Sequence, residues 1–246
     1  MDDDVGGMEP VGTEAEAKKL RILYLHGFEE NEKSPKPASL KPHVEMHLPP
    51  LGVYLNHHNS PIRFMLTSPY FYGPLIGGLL LAQINPLMAI VVAGAGILAL
   101  RKQILVAGIR GALGRSLEIA RNTLKTVNPD AVVAFSWGGC LACLLLREGA
   151  WRGPTLLLAP AYDLILEKAM LPRPQELIPA DQQRNLRDKV LIVHSDSDQI
   201  VPIEKSKTLA AANGFLFEKV SKEKHAMFGL AQGGKLLGML RSVAKR

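Results

Sequence analysis

The chain has 246 residues, of which 47% are hydrophobic and 21% charged, and its formal net charge is +6. This composition is typical of a globular protein with a substantial core, and it excludes wholesale disorder, a collagen-like repeat and a polytopic membrane protein. Two cysteines, Cys140 and Cys143, are too few for a disulfide framework. Because no secretory signal is recognisable, we expect a cytoplasmic protein that is not secreted.

Charge is distributed unevenly along the chain. Residues 1–17 hold six acids and no base, which leaves 29 bases against 17 acids in the remainder. We therefore expect residues 1–18 to form a disordered acidic tail and residues 19–246 to form one domain. The bases of that domain are scattered, without interleaved aromatic residues or a recognition motif. They predict a solvated basic surface and no nucleic-acid partner.

From residue 21 onwards, short apolar runs alternate with segments of helical periodicity. The predicted strands are residues 21–26, 44–48, 131–135, 155–158, 190–194 and 215–220. The predicted helices are residues 108–127, 137–147, 163–170, 204–212 and 230–243. Strands that alternate with helices predict an α/β fold with a mostly parallel sheet and helices on both faces.

An apolar insertion, residues 64–100, interrupts this alternation with 37 positions that hold no charge. Residues 75–100 are long enough to cross a bilayer, but Pro86 divides them into pieces shorter than the ~17 residues that a span needs. One span would also leave the strands before and after it on opposite sides of the membrane. Three interpretations stay open: a membrane-docking helix pair or re-entrant hairpin, a lid, and a buried core hairpin.

Ser136 lies between an apolar strand and a helix, in the sequence Ala134-Phe135-Ser136-Trp137-Gly138-Gly139. Small residues on both sides of a serine are what a nucleophile elbow needs, because its strained turn brings helix and strand close together. Ala134 departs from the usual glycine by one methyl group, which requires a small residue on the neighbouring strand. Alone, this pattern is weak evidence for a catalytic serine.

The order of the residues that follow strengthens the prediction that Ser136 is a catalytic serine. Asp198 lies in an acidic loop after the predicted strand 190–194, and His225 follows the strand 215–220. Serine, acid and histidine in that order, each after a strand of a parallel sheet, predict a triad in which His225 activates Ser136 and an aspartate orients the imidazole. Asp196 is the alternative acid, but the spacing to Val201-Pro202 favours Asp198.

Four segments resemble the α/β-hydrolase superfamily of serine hydrolases. Residues 23–28 (LYLHGF) are similar to the strand and loop that supply an oxyanion-hole amide, and residues 134–139 are similar to the elbow. Residues 194–202 resemble the acid loop, with Ser195 replacing its glycine. Residues 224–228 resemble the histidine loop without its usual glycine. The opening segment is similar to small YqiA-like esterases, whereas residues 51–107 resemble nothing recognised.

The resemblance implies an α/β-hydrolase fold and a serine hydrolase that cleaves a carboxylic ester, with an apolar acyl ester or thioester as its substrate. It assigns the oxyanion hole to the amides of Phe28 and Trp137, and it implies neither a cofactor nor a metal. The alternative is a catalytically inactive, membrane-associated binding protein on the same scaffold, which Ala134, Ser195 and the apolar insertion motivate.

Other candidate groups have ordinary structural interpretations. His26 precedes the oxyanion loop and is expected to be a hydrogen-bonded structural histidine. His57 and His58 lack metal-like partner spacing and are expected on a loop surface. Cys140 and Cys143 form C-x-x-C on the helix after the elbow, where buried thiols are expected rather than a redox or zinc site.

Overall fold

A computed structural model describes residues 19–28, 30–53 and 60–245. The acidic tail predicted at residues 1–18 lies outside this range, and so do His57 and His58. The remaining predictions of strands and helices fall on described residues.

The described chain forms one six-stranded sheet in which every neighbouring pair of strands is parallel. The strand order is β2-β1-β3-β4-β5-β6, so the chain starts near one edge and proceeds to the other. The strands are β1 Arg21–Leu25, β2 Glu45–His47, β3 Ala131–Phe135, β4 Thr155–Leu158, β5 Val190–Ser195 and β6 Leu216–Val220.

Helices cover both faces of the sheet, and each face has its own hydrophobic core. α5 and α6 contribute to one core, and α10 contributes to the other. The helices are α1 Pro35–Leu40, α2 Pro61–Leu66, α3 Pro69–Ala82, α4 Pro86–Ala99, α5 Arg101–Val127, α6 Trp137–Arg147, α7 Tyr162–Lys168, α8 Ala180–Gln183, α9 Ile203–Asn213 and α10 Lys235–Ala244. A short 3-10 helix, Phe228–Ala231, precedes α10.

The predicted α/β architecture is confirmed, and the elements differ from prediction mainly at their ends. β3, β4 and α6 have the predicted bounds, whereas α5 begins seven residues before the predicted position 108. Its first turns hold exposed Arg101 and Lys102, which extend the helix without adding to its apolar face. The predicted helix 230–243 is a 3-10 turn followed by α10, because Gly233 and Gly234 adopt left-handed φ values of 60° and 70°.

The apolar insertion forms a helical hairpin, α3 and α4, that stands largely in solvent. Within these two helices only Gly78 and Ala89 are buried. Close packing joins the helices, because a Cβ on Gly78 would lie 2.8 Å from the Ala93 Cβ and one on Gly96 would lie 2.8 Å from the Pro74 Cβ. The interpretation of the insertion as a buried core hairpin is therefore wrong.

The insertion is also shorter than the predicted 64–100. Phe64 and Met65 belong to α2, which packs against α5: a Cβ on Gly111 would lie 2.5 Å from the Phe64 ring, and one on Gly108 would lie 2.2 Å from the Met65 Cγ. The projecting hairpin thus comprises residues 69–99. In the described chain no single helix has the length and apolarity to cross a membrane, although α4 and α5 together do, with a 59° bend between them.

Candidate active site

Ser136 occupies the tight connection between β3 and α6. Its φ of 50° and ψ of −106° lie in a region that residues with side chains rarely adopt. The Ser136 amide donates to the Leu158 carbonyl at 3.0 Å. The Ser136 carbonyl accepts hydrogen bonds from the amides of Cys140 at 3.1 Å and Ala161 at 3.0 Å. These bonds fix a strained turn that holds the hydroxyl at the carboxyl end of β3.

The two glycines after Ser136 allow α6 to approach the sheet. A Cβ on Gly138 would lie 1.9 Å from the Leu25 carbonyl oxygen, and one on Gly139 would lie 2.7 Å from the Pro160 Cα. Ala134 stands in register with Leu25 and Leu157, so the small neighbour that we expected is absent. Ala134 is fully buried nonetheless, and the close approach of α6 to β1 occurs at Gly138.

Ser136, His225 and Asp198 are connected by hydrogen bonds. The His225 Nε2 lies 2.8 Å from the Ser136 Oγ, and the His225 Nδ1 lies 2.7 Å from the Asp198 Oδ2. The His225 side chain is 14% exposed and that of Asp198 is fully buried. The three loops that carry these residues follow β3, β5 and β6 at one edge of the sheet. The arrangement can pass a proton from the serine hydroxyl to an imidazole that a carboxylate orients.

Asp198 is held as an anion by its hydrogen bonds. Burial by itself raises the pKa of Asp198, but the hydrogen bonds from His194 and His225 outweigh burial and hold that pKa well below its usual range. The amides of Ile200 and Val201 assist by donating to Oδ1 at 2.8 and 3.0 Å. His194 was not singled out from the sequence as a partner of this acid, and its i, i+4 spacing to Asp198 is the signal that was available.

Asp196, the alternative acid, has different partners. Its carboxylate accepts hydrogen bonds from the Ser197 Oγ at 3.0 Å and the Ser221 Oγ at 2.9 Å, and it lies 3.5 Å from the Lys219 Nζ. Hydrogen bonds from Ser221 and Ser197 lower the pKa of Asp196. Asp196 therefore joins the end of β5 to the end of β6, and among the described residues the carboxylate in contact with His225 is that of Asp198.

The serine that replaces a glycine of the acid loop also has a partner. The Ser195 Oγ donates to the Glu223 carbonyl, and it accepts from the Ser197 amide at 3.1 Å. Glu223 precedes His225 by two residues. Ser195 thus links the loop that carries Asp198 directly to the loop that carries His225.

Two residues that line the cavity beside Ser136 have backbone amides without an acceptor among the described residues. The Gly27 amide donates to the Glu30 Oε2 at 3.1 Å, but the amides of Phe28 and Trp137 donate no hydrogen bond to any described residue. Phe28 and Trp137 line the same cavity as Ser136, with their ring centroids 6.1 Å apart. Trp137 is also the first residue of α6, where the helix dipole favours negative charge.

A buried ion pair connects this loop to the histidine loop. The Lys36 Nζ lies 3.1 Å from the Glu30 Oε1, and their side chains are 1% and 6% exposed. The same ammonium donates to the Ala226 carbonyl at 2.7 Å and lies 3.7 Å above the Phe135 ring. Burial lowers the pKa of Lys36, an effect that Glu30 opposes. This pair is not predictable from the sequence, because nothing in the spacing of Glu30 and Lys36 indicates burial.

A cavity of about 310 Å³ opens beside Ser136. Nearly all its walls are apolar, and Lys168 is the one charged residue among the described residues that line it. The apolar walls come from α2, α5, α6, α7 and the loops after β1, β4 and β5. Their residues are Phe28, Pro61, Ile109, Trp137, Ala161, Leu164, Ile165, Ile200 and Val201.

The other candidate residues, His26, Cys140 and Cys143, are buried in environments typical of structural residues. The Nδ1 of the buried His26 ring lies 2.9 Å from the Gly27 carbonyl oxygen, and its Nε2 accepts a hydrogen bond from the Leu51 amide at 3.4 Å. Cys140 and Cys143 are buried free thiols, and burial raises the pKa of both. The described residues contain no cluster of three or more histidine, cysteine or acidic residues that could hold a metal ion.

This architecture is similar to that of solved structures. TT1662 from Thermus thermophilus is 15% identical, with a TM-score of 0.55, over 94% of this chain and 91% of its own. A predicted hydrolase from Agrobacterium vitis S4 is 15% identical, with a TM-score of 0.50, over 92% of this chain and 87% of its own. The chain has the α/β-hydrolase fold. The fold that the resemblance implied is confirmed.

Est1E from Butyrivibrio proteoclasticus is also 15% identical, over 94% of this chain and 91% of its own, with a TM-score of 0.49. No protein-family model matches the sequence. No curated protein matches it either. Likeness at this level of identity concerns the α/β-hydrolase fold alone, and a fold does not fix the chemistry of its site.

Proposed function

We propose that the protein is a serine hydrolase that cleaves carboxylic esters with apolar acyl groups. The observation that carries this proposal is the position of His225, which lies within hydrogen-bond distance of both the Ser136 hydroxyl and the buried Asp198 carboxylate. The strained backbone of Ser136 supports it, since strain of this kind at a residue in a cavity is typical of functional sites. The likeness to a predicted hydrolase agrees with it.

In the first half of the reaction, the Ser136 Oγ attacks the acyl carbon and its proton passes to the His225 Nε2. The His225 Nδ1–H donates to Asp198, which fixes the tautomer that leaves Nε2 free to accept. The carbonyl oxygen becomes an oxyanion, which the unused amides of Phe28 and Trp137 stabilise. The C–O bond to the leaving group then breaks, and the imidazolium gives its proton to the departing alkoxide.

In the second half, water replaces the alcohol. His225 takes a proton from the water, the resulting hydroxide equivalent attacks the acyl-serine ester, and the same two amides receive the oxyanion. Collapse of this intermediate breaks the bond to the Ser136 Oγ, which recovers its proton from His225. The net reaction is ester and water to acid and alcohol, and the residues named here supply every proton transfer.

The cavity favours an apolar acyl chain. Its walls are aliphatic and aromatic, so burial of each methylene there contributes about 0.8 kcal/mol. A charged acyl group would lose its hydration without gaining a partner, except beside Lys168. We therefore expect kcat/KM to rise with acyl length until the cavity is filled.

Labelling by a fluorophosphonate probe tests the proposal. The native protein should become covalently labelled at Ser136, whereas Ser136→Ala should remain unlabelled and should lose about 10⁴- to 10⁶-fold in kcat on p-nitrophenyl esters. Circular dichroism of both proteins is the control, because the small substitution should leave the fold intact. A folded native protein that neither reacts with the probe nor hydrolyses any ester of a C2 to C12 acyl series would overturn the proposal and favour a binding protein on this scaffold.

A further inference from the structure

The α3–α4 hairpin presents most of the large hydrophobic side chains that the described chain exposes. Leu79 and Leu80 on α3 are 68% and 69% exposed, Leu87 on α4 is 71% exposed, and Ile84 at the tip is 84% exposed. Successive residues of a helix point about 100° apart, so each helix presents a broad apolar face rather than a narrow stripe. Single exposed hydrophobic residues are ordinary, but a contiguous surface of this kind marks an interaction site.

The dimensions of the hairpin limit how it can meet a bilayer. Each helix has 14 residues, which corresponds to a length of about 21 Å. The hydrocarbon core of a bilayer is about 30 Å thick, so neither helix spans it. Gln83 and Asn85 at the tip oppose burial at the bilayer centre as well. The hairpin is long enough to enter one leaflet and too short to cross two.

The base of the hairpin has the residues of a membrane interface. Tyr70 and Tyr72 are 45% and 46% exposed, and tyrosine is enriched at the level of lipid headgroups. Arg63 precedes α3, and Arg101 and Lys102 follow α4. From residue 46 to residue 117 the sequence holds five bases and no acid. The segment is therefore complementary to an anionic lipid surface.

We propose that the α3–α4 hairpin docks into one leaflet of an anionic lipid bilayer. The apolar side chains around Leu79 and Leu87 enter the hydrocarbon, and Arg101 and Lys102 contact the headgroups. A bilayer covers the tip and every side of the hairpin at once. A second copy of the chain packed on one face would leave Ile84 or one of the two helices in water.

Docking also predicts the class of substrate, and this inference rests on the proposed function. Pro61 at the start of α2 and Ile109 on α5 line the cavity beside Ser136. A second cavity of about 470 Å³ lies at the hairpin base, between Tyr70, Lys102 and Met170. The site thus adjoins the elements that carry the hairpin. The substrate class that fits is an acyl ester resident in the membrane.

Flotation of the full-length protein with lipid vesicles tests docking without any need for catalysis. Protein transferred from mild detergent to vesicles of phosphatidylcholine with 30% phosphatidylserine should rise with the lipid in a density gradient. Leu79→Gln/Leu87→Gln should reduce the bound-to-free ratio by about 100-fold or more, because two exposed leucines lose their apolar burial in lipid. The matched variant Leu79→Ile/Leu87→Met should float like the native protein.

A second set of variants measures the contribution of the basic residues at the hairpin base to binding. Arg101→Gln/Lys102→Gln should weaken binding to the anionic vesicles by about fivefold per charge and leave binding to pure phosphatidylcholine unchanged. As a control, Lys235→Gln/Lys245→Gln removes two exposed bases, one on α10 and one just after it, and should have no effect. α10 packs on the other face of the sheet from α5. High salt should weaken the binding of the native protein to anionic vesicles, as Arg101→Gln/Lys102→Gln does.

Native protein that stays at the bottom of the gradient, as aggregate, monomer or dimer, overturns the docking proposal whatever its enzymatic activity. Ser136→Ala should float like the native protein, so failure of docking and failure of catalysis are separate results. If the native protein both docks and hydrolyses esters, Leu79→Gln/Leu87→Gln should lose hydrolysis of a long-chain ester in vesicles and keep hydrolysis of a water-soluble short-chain ester. Equal loss on both esters would overturn the link between docking and substrate.

Discussion

Asp198 has two imidazole partners on one oxygen. Its Oδ2 lies 2.7 Å from the His225 Nδ1 and 3.0 Å from the His194 Nε2. The other ring nitrogen of His194 lies 2.6 Å from the Ser206 Oγ, so His194 connects the acid to α9. The buried carboxylate is therefore fixed from two sides, and the imidazole that it orients has little freedom to turn away from Ser136.

This geometry separates the roles of the two acids of the loop. Asp198→Asn should lower kcat by ~10⁴-fold, because an amide at this position no longer fixes the tautomer of His225. Asp196→Asn should lower kcat by less than about tenfold, since Asp196 bonds to Ser197 and Ser221 instead. Steady-state kinetics on one p-nitrophenyl ester compares the two variants, and both should retain the native circular dichroism spectrum. The opposite ranking would assign the acid role to Asp196.

At the scale of elements, α1 connects two loops of the site. Lys36 on this six-residue helix bonds to Glu30, which accepts from the Gly27 amide, and to the carbonyl of Ala226, next to His225. The loop after β1 and the loop after β6 are thereby joined through one buried ammonium. Loss of that cation would leave the Glu30 carboxylate buried without its ammonium partner.

We therefore expect Lys36→Met to be costly. It should lower the free energy of unfolding by about 3–5 kcal/mol, as does removal of one partner of a buried ion pair. Lys41→Met, which breaks the exposed pair of Lys41 with Glu32 just after the same helix, should cost less than about 1 kcal/mol. Urea denaturation measures both values. Equal costs for the two variants would mean that the Lys36–Glu30 pair contributes no more than a surface pair.

The elements that the sequence predicted well are those with an unambiguous local pattern. β3 is an uninterrupted β-branched and apolar run between turn residues, and α6 is apolar on every side, so both were predicted with their observed bounds. The order of Ser136, Asp198 and His225 after three strands also anticipated their proximity in a parallel sheet. These predictions needed only the period of the pattern and the topology.

The missed features depend on tertiary contacts that no local pattern contains. The burial of Lys36 depends on Glu30 and on the loop after β6, 190 residues away in sequence. α1 was missed because its sequence, PKPASL, holds two prolines, which are tolerated here in the first turn of the helix. The start of the insertion was misplaced because Phe64 is apolar like the hairpin but belongs to α2 and packs against α5.

At the scale of the whole molecule, the hairpin is an addition to a complete core. α3 and α4 pack mainly against each other, with further contacts to α2 and α5 at the base. The two cores on the faces of the sheet contain no buried residue of the hairpin. The sheet, the elbow and the cavity should therefore be stable without it.

Replacing residues 69–99 by a flexible Gly/Ser linker should thus leave a folded protein. Its free energy of unfolding should change by less than about 2 kcal/mol, because loop closure depends only weakly on loop length. Extending the replacement to residues 61–99 removes Phe64 and Met65 from their contacts with Gly111 and Gly108, and should cost a further 2–5 kcal/mol or so through the cavity that remains. Urea denaturation monitored by circular dichroism measures both proteins. If the 69–99 replacement unfolds, the hairpin contributes to the stability of the core, and the division between core and hairpin that we draw at Pro69 is wrong.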